Sequence, residues 1–363
     1  MEVGETMTIY VTFVMLVLFL CIMDYQSTHG YIDENGKRIR RNRLYMLLVT
    51  ICFLFVGGFR YYVGSDFGAY YKLKGTLTEC ITKLISFDEP GIVFLSYICR
   101  NIWDEGIFVI FVENALIFFL VLRGLKAHRV KDYTMPLLLY IFYGGWLFSL
   151  NGVRQAIAIS IIFAFSNKNE SYFLLKNIVV IFVAFLFHKS AIFMLPVIFL
   201  ANRKITFVQI VGLIVFSLLL PAMGEYAMNY MGVSYTTDLY MTNDINPYRI
   251  AVAFAPILLV GVLYLSRHFD FFNQFYFVTN MVILNAIITL STSGSAYLNR
   301  FSMYTSIYTI LFLPKIKERL TLGSRKIFNS VVIMLYFVYF LFEVNNTGTC
   351  LPFQWSFSHF GEW

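Results

Sequence analysis

Residues 293–314 read SGSAYLNRFSMYTSIYTILFLP, an apolar stretch that ends at Pro314 and carries Arg300 near its start. Its length and composition predict a membrane span over 296–313. A cation inside a membrane span is costly and usually faces a polar cavity, so by default it marks a functional site. The stretch therefore predicts a membrane protein whose function involves Arg300.

The composition of the whole chain supports this class. The 363 residues are 59% hydrophobic, 19% aromatic and 13% charged, whereas a soluble domain is about 45–50% apolar and about 25% charged. We therefore predict an all-α, polytopic integral membrane protein with one transmembrane domain over 1–363. The net charge of +7 is what basic, orienting loops would give, so no nucleic-acid partner is expected.

The apolar runs predict about twelve transmembrane helices. They lie at residues 7–24, 44–59, 106–123, 133–149, 152–166, 171–187, 189–201, 205–221, 249–266, 275–292, 296–313 and 327–344. The segment 90–102 is too short to span and is predicted to be an interfacial or re-entrant helix. The segment 189–201 is also short, and two readings of it stay open: a tilted half-span or a re-entrant segment.

Clusters of basic residues orient these predicted spans. KRIRRNR at 37–43, RGLKAHRVK at 123–131 and KIKERLTLGSRK at 315–326 are placed in the cytoplasm by the positive-inside rule. Segments 25–43, 124–132 and 315–326 then face inward, and both termini face outward. The outer face receives the loops at 60–105 and 222–248, and most of the acidic residues.

This orientation brings the ionisable residues at span ends to one face. Arg60, Arg154, His188 and Arg300 all fall at outer ends of spans, and Asp66 and Tyr70 lie on the outer loop at 60–105. Three arginines at one edge of an otherwise acidic face predict a pocket for an anionic ligand.

Two local patterns sharpen the prediction of an anion site. Asn151 in NGVRQAIA is predicted to be the N-cap of the span 152–166, so that the helix N-terminus and Arg154 together form a phosphate site. Arg300 and Tyr304 are four residues apart and are predicted to share one polar edge of a helix.

Structural interpretations of the same residues remain open. An arginine at a membrane edge can extend to lipid headgroups, Asp66 can simply terminate a turn, and tyrosines 61, 62 and 71 fit an interfacial belt. Glu113 lies mid-span and is either a proton relay or, as we favour, a protonated acid hydrogen-bonded between helices.

Several chemistries lack their sequence signatures. The histidines show no ligand spacing and there is no CxxC pair, so no metal site is expected. No phosphate-binding loop or dinucleotide fingerprint occurs, and no cofactor is expected.

Four motifs occur in order: FRYYVGSDFGAYY at 59–71, NGVRQAIA at 151–158, HKSAIFMLP at 188–196 and NRFSMY at 299–304. Together they resemble the EpsG-like branch of Wzy-type polysaccharide polymerases over roughly 50–315. The resemblance implies a metal-independent, GT-C-like glycosyltransferase of the bacterial inner membrane, with its active site facing the periplasm or outside. It also implies an undecaprenyl-pyrophosphate-linked oligosaccharide as substrate. Membrane lipid, a chain-length regulator and a flippase of the same pathway would be partners.

The resemblance also implies roles for the matching residues. Arginines 60, 154 and 300 would neutralise the pyrophosphate leaving group, and His188 or Asp66 would be the general base, with His188 favoured because histidine exchanges protons near neutral pH. Tyr70, Tyr304 and Asn151 would contact substrate. Alternative functions are a lipid-linked oligosaccharide flippase or other transporter, an O-antigen ligase, and a polytopic acyltransferase.

Overall fold

The computed structural model of the chain describes residues 3–29, 44–166, 173–203, 212, 215, 247–292, 298–347 and 350–359. Every regular element in these ranges is helical, apart from a single antiparallel bridge between Arg60 and Trp355. The predicted span 205–221 falls outside the described residues except at positions 212 and 215, and the predicted outer loop 222–248 falls outside them up to position 246.

The described residues of the first half form ten α-helices. They are α1 (Val3–His29), α2 (Leu44–Gly58), α3 (Phe67–Lys72), α4 (Leu77–Ile85), α5 (Pro90–Ile102), α6 (Gly106–Ala127), α7 (Thr134–Phe142), α8 (Gly145–Asn151), α9 (Val153–Phe165) and α10 (Phe173–Phe187). The bounds of α5 match the short helix predicted at 90–102. The predicted outer loop 60–105 therefore contains three short helices, α3 to α5.

The second half continues with a 3-10 turn at Lys189–Phe193 and then α11 (Met194–Ala201), α12 (Pro247–Leu265) and α13 (Phe269–Thr292). A 3-10 turn at Leu298–Ser302 precedes α14 (Met303–Ser306), α15 (Thr309–Arg319) and α16 (Leu322–Thr347). A last 3-10 turn, Ser356–His359, ends the described chain.

Five helices in the described ranges are long and apolar enough to cross a membrane. They are Gly4–Ser27, Gly106–Ala127, Pro247–Leu265, Phe269–Thr292 and Leu322–Asn346, and shorter apolar helices lie at Leu44–Gly58, Val153–Phe165, Leu174–Phe187 and Lys189–Ala201. The prediction of a helical membrane protein is confirmed. The count of about twelve spans and the GT-C arrangement stay predictions, as does the choice between crossing and re-entry for 189–201.

Two predicted spans are broken rather than continuous. The segment 133–149 divides into α7 and α8 at Gly144, whose φ of +85° is a left-handed conformation that favours glycine. The segment 296–313 divides into a 3-10 turn, α14 and α15. There the hydroxyls of Ser302, Thr305 and Ser306 each donate to the carbonyl three residues earlier. Such local bonds compete with the regular helical ladder and favour tighter turns.

The chain divides into two compact units. One transmembrane domain over 1–363 stays a prediction. The first unit comprises 1–167, 179–191 and 329–363. Its centre is α6, which packs along α9 and against α2. The rings of Phe53 and Phe118 stack there at 4.1 Å between centroids, while Tyr10 and Trp146 meet edge to face at 5.7 Å.

The second unit comprises 168–178 and 192–328. Its centre is α13, which packs against α11, α12, the 3-10 turn at Leu298–Ser302 and α15. The Asn280 amide Nδ2 donates to the carbonyl oxygens of Ala201 and Arg203, at 3.0 and 2.6 Å. This side chain therefore ties the end of α11 to the middle of α13.

The C-terminal segment 350–359 folds back onto the first unit, and we refer to it as the C-terminal strap. The Phe353 backbone N–H donates to the Thr6 hydroxyl at 2.9 Å, and the Tyr61 N–H donates to the Gln354 carbonyl at 2.8 Å. The Tyr10 hydroxyl donates to the Cys350 carbonyl at 2.8 Å. The strap thus joins the start of α1 to the turn that follows α2.

Candidate functional site

Glu89 is the centre of a polar cluster in the first unit. It precedes Pro90, the first residue of α5, and its φ of 53° is left-handed. On the neighbouring α10, His188 follows the last helical residue and its N–H still bonds to the Ala184 carbonyl. The close approach of these helix ends depends on Gly91, where an added Cβ would lie only 3.0 Å from the Leu186 carbonyl oxygen.

Both oxygens of the Glu89 carboxylate are engaged. Oε1 lies 2.7 Å from His188 Nδ1 and accepts from the Lys189 backbone N–H at 3.0 Å, while Oε2 accepts from Arg154 Nη1 at 2.5 Å. Arg154 Nε in turn donates to the Tyr70 hydroxyl at 3.0 Å. We call Tyr70, Glu89, Arg154 and His188 the Glu89 cluster. It joins α3, α5, α9 and the end of α10.

The cluster is open to solvent on the side of its basic groups. Glu89 is buried, with 8% of the residue exposed. The side chains of Arg154 and His188 are 43% and 24% exposed. His188 Nε2 has no hydrogen-bond partner among the residues that the structure describes. An incoming polar ligand can therefore reach both basic side chains.

The environment keeps the Glu89 carboxylate ionised. Burial by itself raises the pKa of Glu89. Hydrogen bonds from His188 and the Lys189 N–H, together with the charges of His188 and Arg154, more than offset burial and leave the pKa below its ordinary value. For Tyr70, burial raises the pKa and outweighs the neighbouring Arg154, so the phenol stays neutral. The cluster thus contains one anion between two basic side chains.

Asn151 occupies a different position from the one predicted. It is the last residue of α8, and the residue before α9 is Gly152, so the prediction that Asn151 caps α9 is wrong. The predicted span 133–149 breaks at Gly144, and the second helix, α8, then extends to Asn151. The Asn151 Oδ1 accepts from the Ser65 N–H at 3.0 Å, and its Nδ2 donates to the Leu147 carbonyl at 3.2 Å. Asn151 therefore holds the outer loop against the start of α9.

Asp66 lies at the start of α3, with no capping hydrogen bond from its side chain. Its Oδ1 accepts from the Ser65 hydroxyl at 3.1 Å. Asp66 belongs to the same unit as the Glu89 cluster, and Tyr70 on the next helical turn links the two. The turn is tight because Gly64, at φ +99°, packs directly on the Leu150 carbonyl.

Arg60 is buried rather than presented at the surface. It is 1% exposed, and its Nε and Nη1 donate to the carbonyls of Val63, at 3.1 Å, and Gly57. Extension of Arg60 to lipid headgroups does not occur in this structure. Glu113 is the acidic group whose charge acts on Arg60. Both Glu113 oxygens are buried without a hydrogen-bond donor in the described part of the chain, so the predicted interhelical hydrogen bond is not formed.

Arg300 and Tyr304 lie in the second unit. Arg300 is exposed on the 3-10 turn at Leu298–Ser302, whereas Tyr304 is 1% exposed on α14. The prediction that the two side chains share one polar helix edge is therefore wrong, because the 3-10 turn changes the angular offset between them.

Glu89 is the functional candidate that the motifs did not reveal. Its signal in the sequence is an acidic residue directly before Pro90, a residue favoured at the first position of a helix. The partners lie 65 and 99 positions further along the chain. Only the tertiary structure, which places the start of α5 beside α9 and the end of α10, brings them together.

The order of motifs around this cluster has a counterpart among known families. The family model described as EpsG family matches residues 43–355. The chain belongs to the EpsG family. The match includes every candidate residue of both units, and membership of the EpsG family indicates a polysaccharide polymerase-type function. No curated protein and no solved structure matches this EpsG-family chain.

Proposed function

We propose that this EpsG-family protein polymerises lipid-linked oligosaccharide repeat units at the outer face of the bacterial inner membrane. It would transfer the growing glycan from undecaprenyl pyrophosphate to the next unit. The observation that carries the proposal is the Glu89 cluster, in which one buried carboxylate orients a histidine and an arginine.

His188 is assigned the role of general base. The Glu89 carboxylate is an acceptor and lies against His188 Nδ1. In the neutral ring the proton is therefore on Nδ1, which donates to Glu89, and the lone pair is on Nε2. Nε2 is therefore the atom that takes the proton of the acceptor hydroxyl. A carboxylate in this position also stabilises the imidazolium that forms, as in catalytic triads.

The transfer step balances as follows. The acceptor hydroxyl oxygen forms a bond to the anomeric carbon of the donor, and the bond from that carbon to the pyrophosphate oxygen breaks. The hydroxyl proton passes to His188 Nε2, and the electron pair of the broken bond leaves with the lipid pyrophosphate. Asp66 is the alternative base, and in the His188 mechanism it contacts a sugar hydroxyl instead.

Arg154 of the Glu89 cluster is assigned to the leaving group, and a substrate-binding role for Arg300, in the second unit, stays a prediction. Arg154 uses Nε and Nη1 within the cluster, which leaves the N–H groups of Nη2 without a partner among the described residues. A planar guanidinium suits phosphate oxygens better than a point charge does. Arg60 is buried against backbone carbonyls, so we give it a structural role instead. No metal is needed in this scheme.

The test is polymer length, made in vitro from lipid-linked repeat units purified from a strain lacking this gene. We expect His188→Gln to slow transfer by roughly 10²–10⁴-fold, the usual contribution of a general base. Asp66→Asn should lose less. Arg154→Lys and Arg300→Lys should each recover only part of the activity lost in the alanine variants.

Several results would contradict this assignment. A dead Asp66→Asn beside a nearly normal His188→Gln would reverse the two roles. If both retained full rate, the Glu89 cluster would not be the active site. Deletion of the gene separates the other functions: loss of long chains with one-unit caps retained indicates a polymerase, whereas loss of all surface glycan indicates a flippase. Retained polymer on the lipid carrier indicates a ligase.

A further inference from the structure

Four aromatic rings gather on the outer loop beside the Glu89 cluster. Tyr61 and Tyr62 follow α2, and Phe67 and Tyr71 lie on α3. Their ring centroids are 4.9 Å apart for Tyr61–Tyr62, 5.3 Å for Tyr62–Phe67 and 5.5 Å for Phe67–Tyr71. Phe67 is fully buried, whereas Tyr62 is 53% exposed. A buried ring, Phe67, therefore packs against one exposed ring, Tyr62.

The open ring is fixed in place. Tyr61 meets Tyr62 edge to face, at 82° between the ring planes. Beneath the ring lies Gly68, where an added Cβ would be 3.5 Å from Tyr62 Cε1. The Tyr61 N–H is bonded to the Gln354 carbonyl of the C-terminal strap. Because its neighbours already hold it, the Tyr62 ring would lose little freedom on binding a ligand.

The backbone at Tyr62 is in an unfavourable conformation. Its φ of 48° lies in the left-handed region, which a bulky residue seldom adopts because of steric strain. Glycine would avoid this cost, and the chain uses glycine two residues later at Gly64. Retention of a large ring at a strained, exposed position points to a role for the ring itself.

Polar groups next to the ring indicate that it faces water rather than lipid tails. Ser65 is exposed, Asp66 is half-buried, and the two side chains are hydrogen-bonded to each other. Phe67 and Tyr70 are three residues apart on α3, one helical turn or about 5 Å along the axis, and Tyr70 bonds to Arg154. The ring and the catalytic cluster therefore lie at the two ends of one short helix.

We propose that Tyr62 and Asp66 form a subsite for a sugar ring of the repeat unit. The face of an aromatic ring is electronegative, so it attracts the weakly positive C–H face of a sugar. A carboxylate accepts hydrogen bonds from the hydroxyl groups at the edge of the sugar. This proposal rests on the proposed polymerase function and identifies the part of the protein that holds the saccharide rather than the pyrophosphate.

The experiment uses the full chain in nanodiscs and two probes. The first is the lipid-linked repeat unit, for which KM and kcat are measured. The second is the free oligosaccharide released from that lipid, used as a competitor that carries neither lipid nor phosphate. Tyr62→Ala and Tyr62→Gly should raise the KM and the inhibition constant of the free oligosaccharide by about 3- to 10-fold, with a smaller change in kcat. Tyr62→Phe and Tyr62→Trp should keep both constants near wild type.

Tyr25→Ala is the matched control. Tyr25 is also exposed, at 43%. It lies on α1 about 22 Å along the helix axis, at 1.5 Å per residue, from Tyr10, the residue of α1 that contacts the C-terminal strap. Tyr25→Ala should leave both constants unchanged. Tyr62→Gly relieves the backbone strain, so a loss shared with Tyr62→Ala comes from the missing ring and not from misfolding.

Unchanged inhibition by the free oligosaccharide in Tyr62→Ala would overturn the subsite. If undecaprenyl phosphate then competed less well against that variant, Tyr62 would be a lipid contact of the interfacial belt. Failure of the polymerase function gives a different pattern. In that case neither the wild-type protein nor any variant forms polymer from the lipid-linked repeat unit.

Discussion

At the scale of single residues, Glu89 controls two basic groups with one carboxylate. His188 Nδ1 bonds to one oxygen and Arg154 Nη1 to the other. The one carboxylate therefore fixes the distance between the proposed base, His188, and the proposed phosphate-binding group, Arg154. The backbone at Glu89 is left-handed, and its side chain bonds to neither end of α5 but to residues of α9 and of the segment after α10. Loss of this residue should therefore affect structure and catalysis together.

The first prediction is that Glu89→Gln lowers the free energy of unfolding at pH 7 by about 1–3 kcal/mol, because an amide cannot satisfy the charged donors around it. The pKa of Glu89 is lowered below its ordinary value of 4.5. Its contribution is thus fully present above pH 4.5 and is lost as the pH falls through the folded-state value. The stability difference between wild type and variant should shrink below pH 4.5.

Thermal unfolding in nanodiscs across pH 3–8 measures this difference. Glu79→Gln is the control, since the Glu79 carboxylate accepts no hydrogen bond from the described residues. A difference that stays constant down to pH 3 would show that Glu89 stabilises the fold through packing and not through charge.

The second prediction concerns the buried pair Arg60 and Glu113. Arg60→Met leaves the carbonyls of Gly57 and Val63 without their donor and removes the cation that acts on the buried Glu113, so it should cost about 1–3 kcal/mol of stability. Glu113→Gln in the same chain should restore part of that loss. A double-mutant cycle measured by thermal unfolding gives the coupling. Strictly additive effects would mean that the two side chains do not interact.

The motifs selected residues that lie together in the structure, but they did not predict the contacts between them. Asp66, Tyr70, Arg154 and His188 lie in one unit, and Tyr70, Arg154 and His188 join through hydrogen bonds. Glu89 was missed because its place before Pro90 is a weak signal by itself and its partners lie 65 and 99 positions away. Arg60 was predicted at the outer surface because its partners are backbone carbonyls, which no sequence pattern identifies.

At the scale of elements, the apolar runs predicted where helices occur but not where they break. The runs at 106–123 and 171–187 correspond to α6 and α10. The breaks at Gly144 and within 296–313 depend on one left-handed glycine and on hydroxyls that bond to their own helix. Glycine and serine are also common inside continuous membrane helices, so these residues alone could not predict a break.

The C-terminal strap yields the third prediction. Thr6→Val keeps the shape of the side chain but leaves the buried Phe353 N–H without its acceptor, which should cost about 1–3 kcal/mol. Cys350, the first residue of the strap, is fully buried. With Cys350 as the sole cysteine, its reaction with a thiol reagent should be faster in Thr6→Val than in the parent.

Thr8→Val is the matched control, because the Thr8 hydroxyl is exposed and donates only to the Gly4 carbonyl of its own helix. It should change neither the stability nor the reactivity of Cys350. Equal effects of the two variants would show that α1, and not the contact with the strap, responds to the loss of a hydroxyl.

At the scale of the whole molecule, the assignment of function to one face depends on topology. The basic clusters at 37–43 and 315–326 predict that these segments are cytoplasmic, and the loop at 60–105, which carries Glu89, would then face outward. An outward Glu89 cluster suits a substrate presented on the outer leaflet. An inward cluster would instead require a donor available in the cytoplasm.

The fourth prediction tests this orientation with single cysteines in a chain whose five native cysteines have been replaced. In intact cells, an impermeant thiol reagent should label a cysteine at the exposed position 65. Cysteines at positions 40 and 320 should be labelled only after permeabilisation, because they lie among the basic residues that the positive-inside rule retains in the cytoplasm. Labelling at 40 or 320 in intact cells would contradict the topology and the outer-face mechanism with it. Opposite labelling at 65 and 320 would show an odd number of crossings between these positions, as the nine spans predicted between them require.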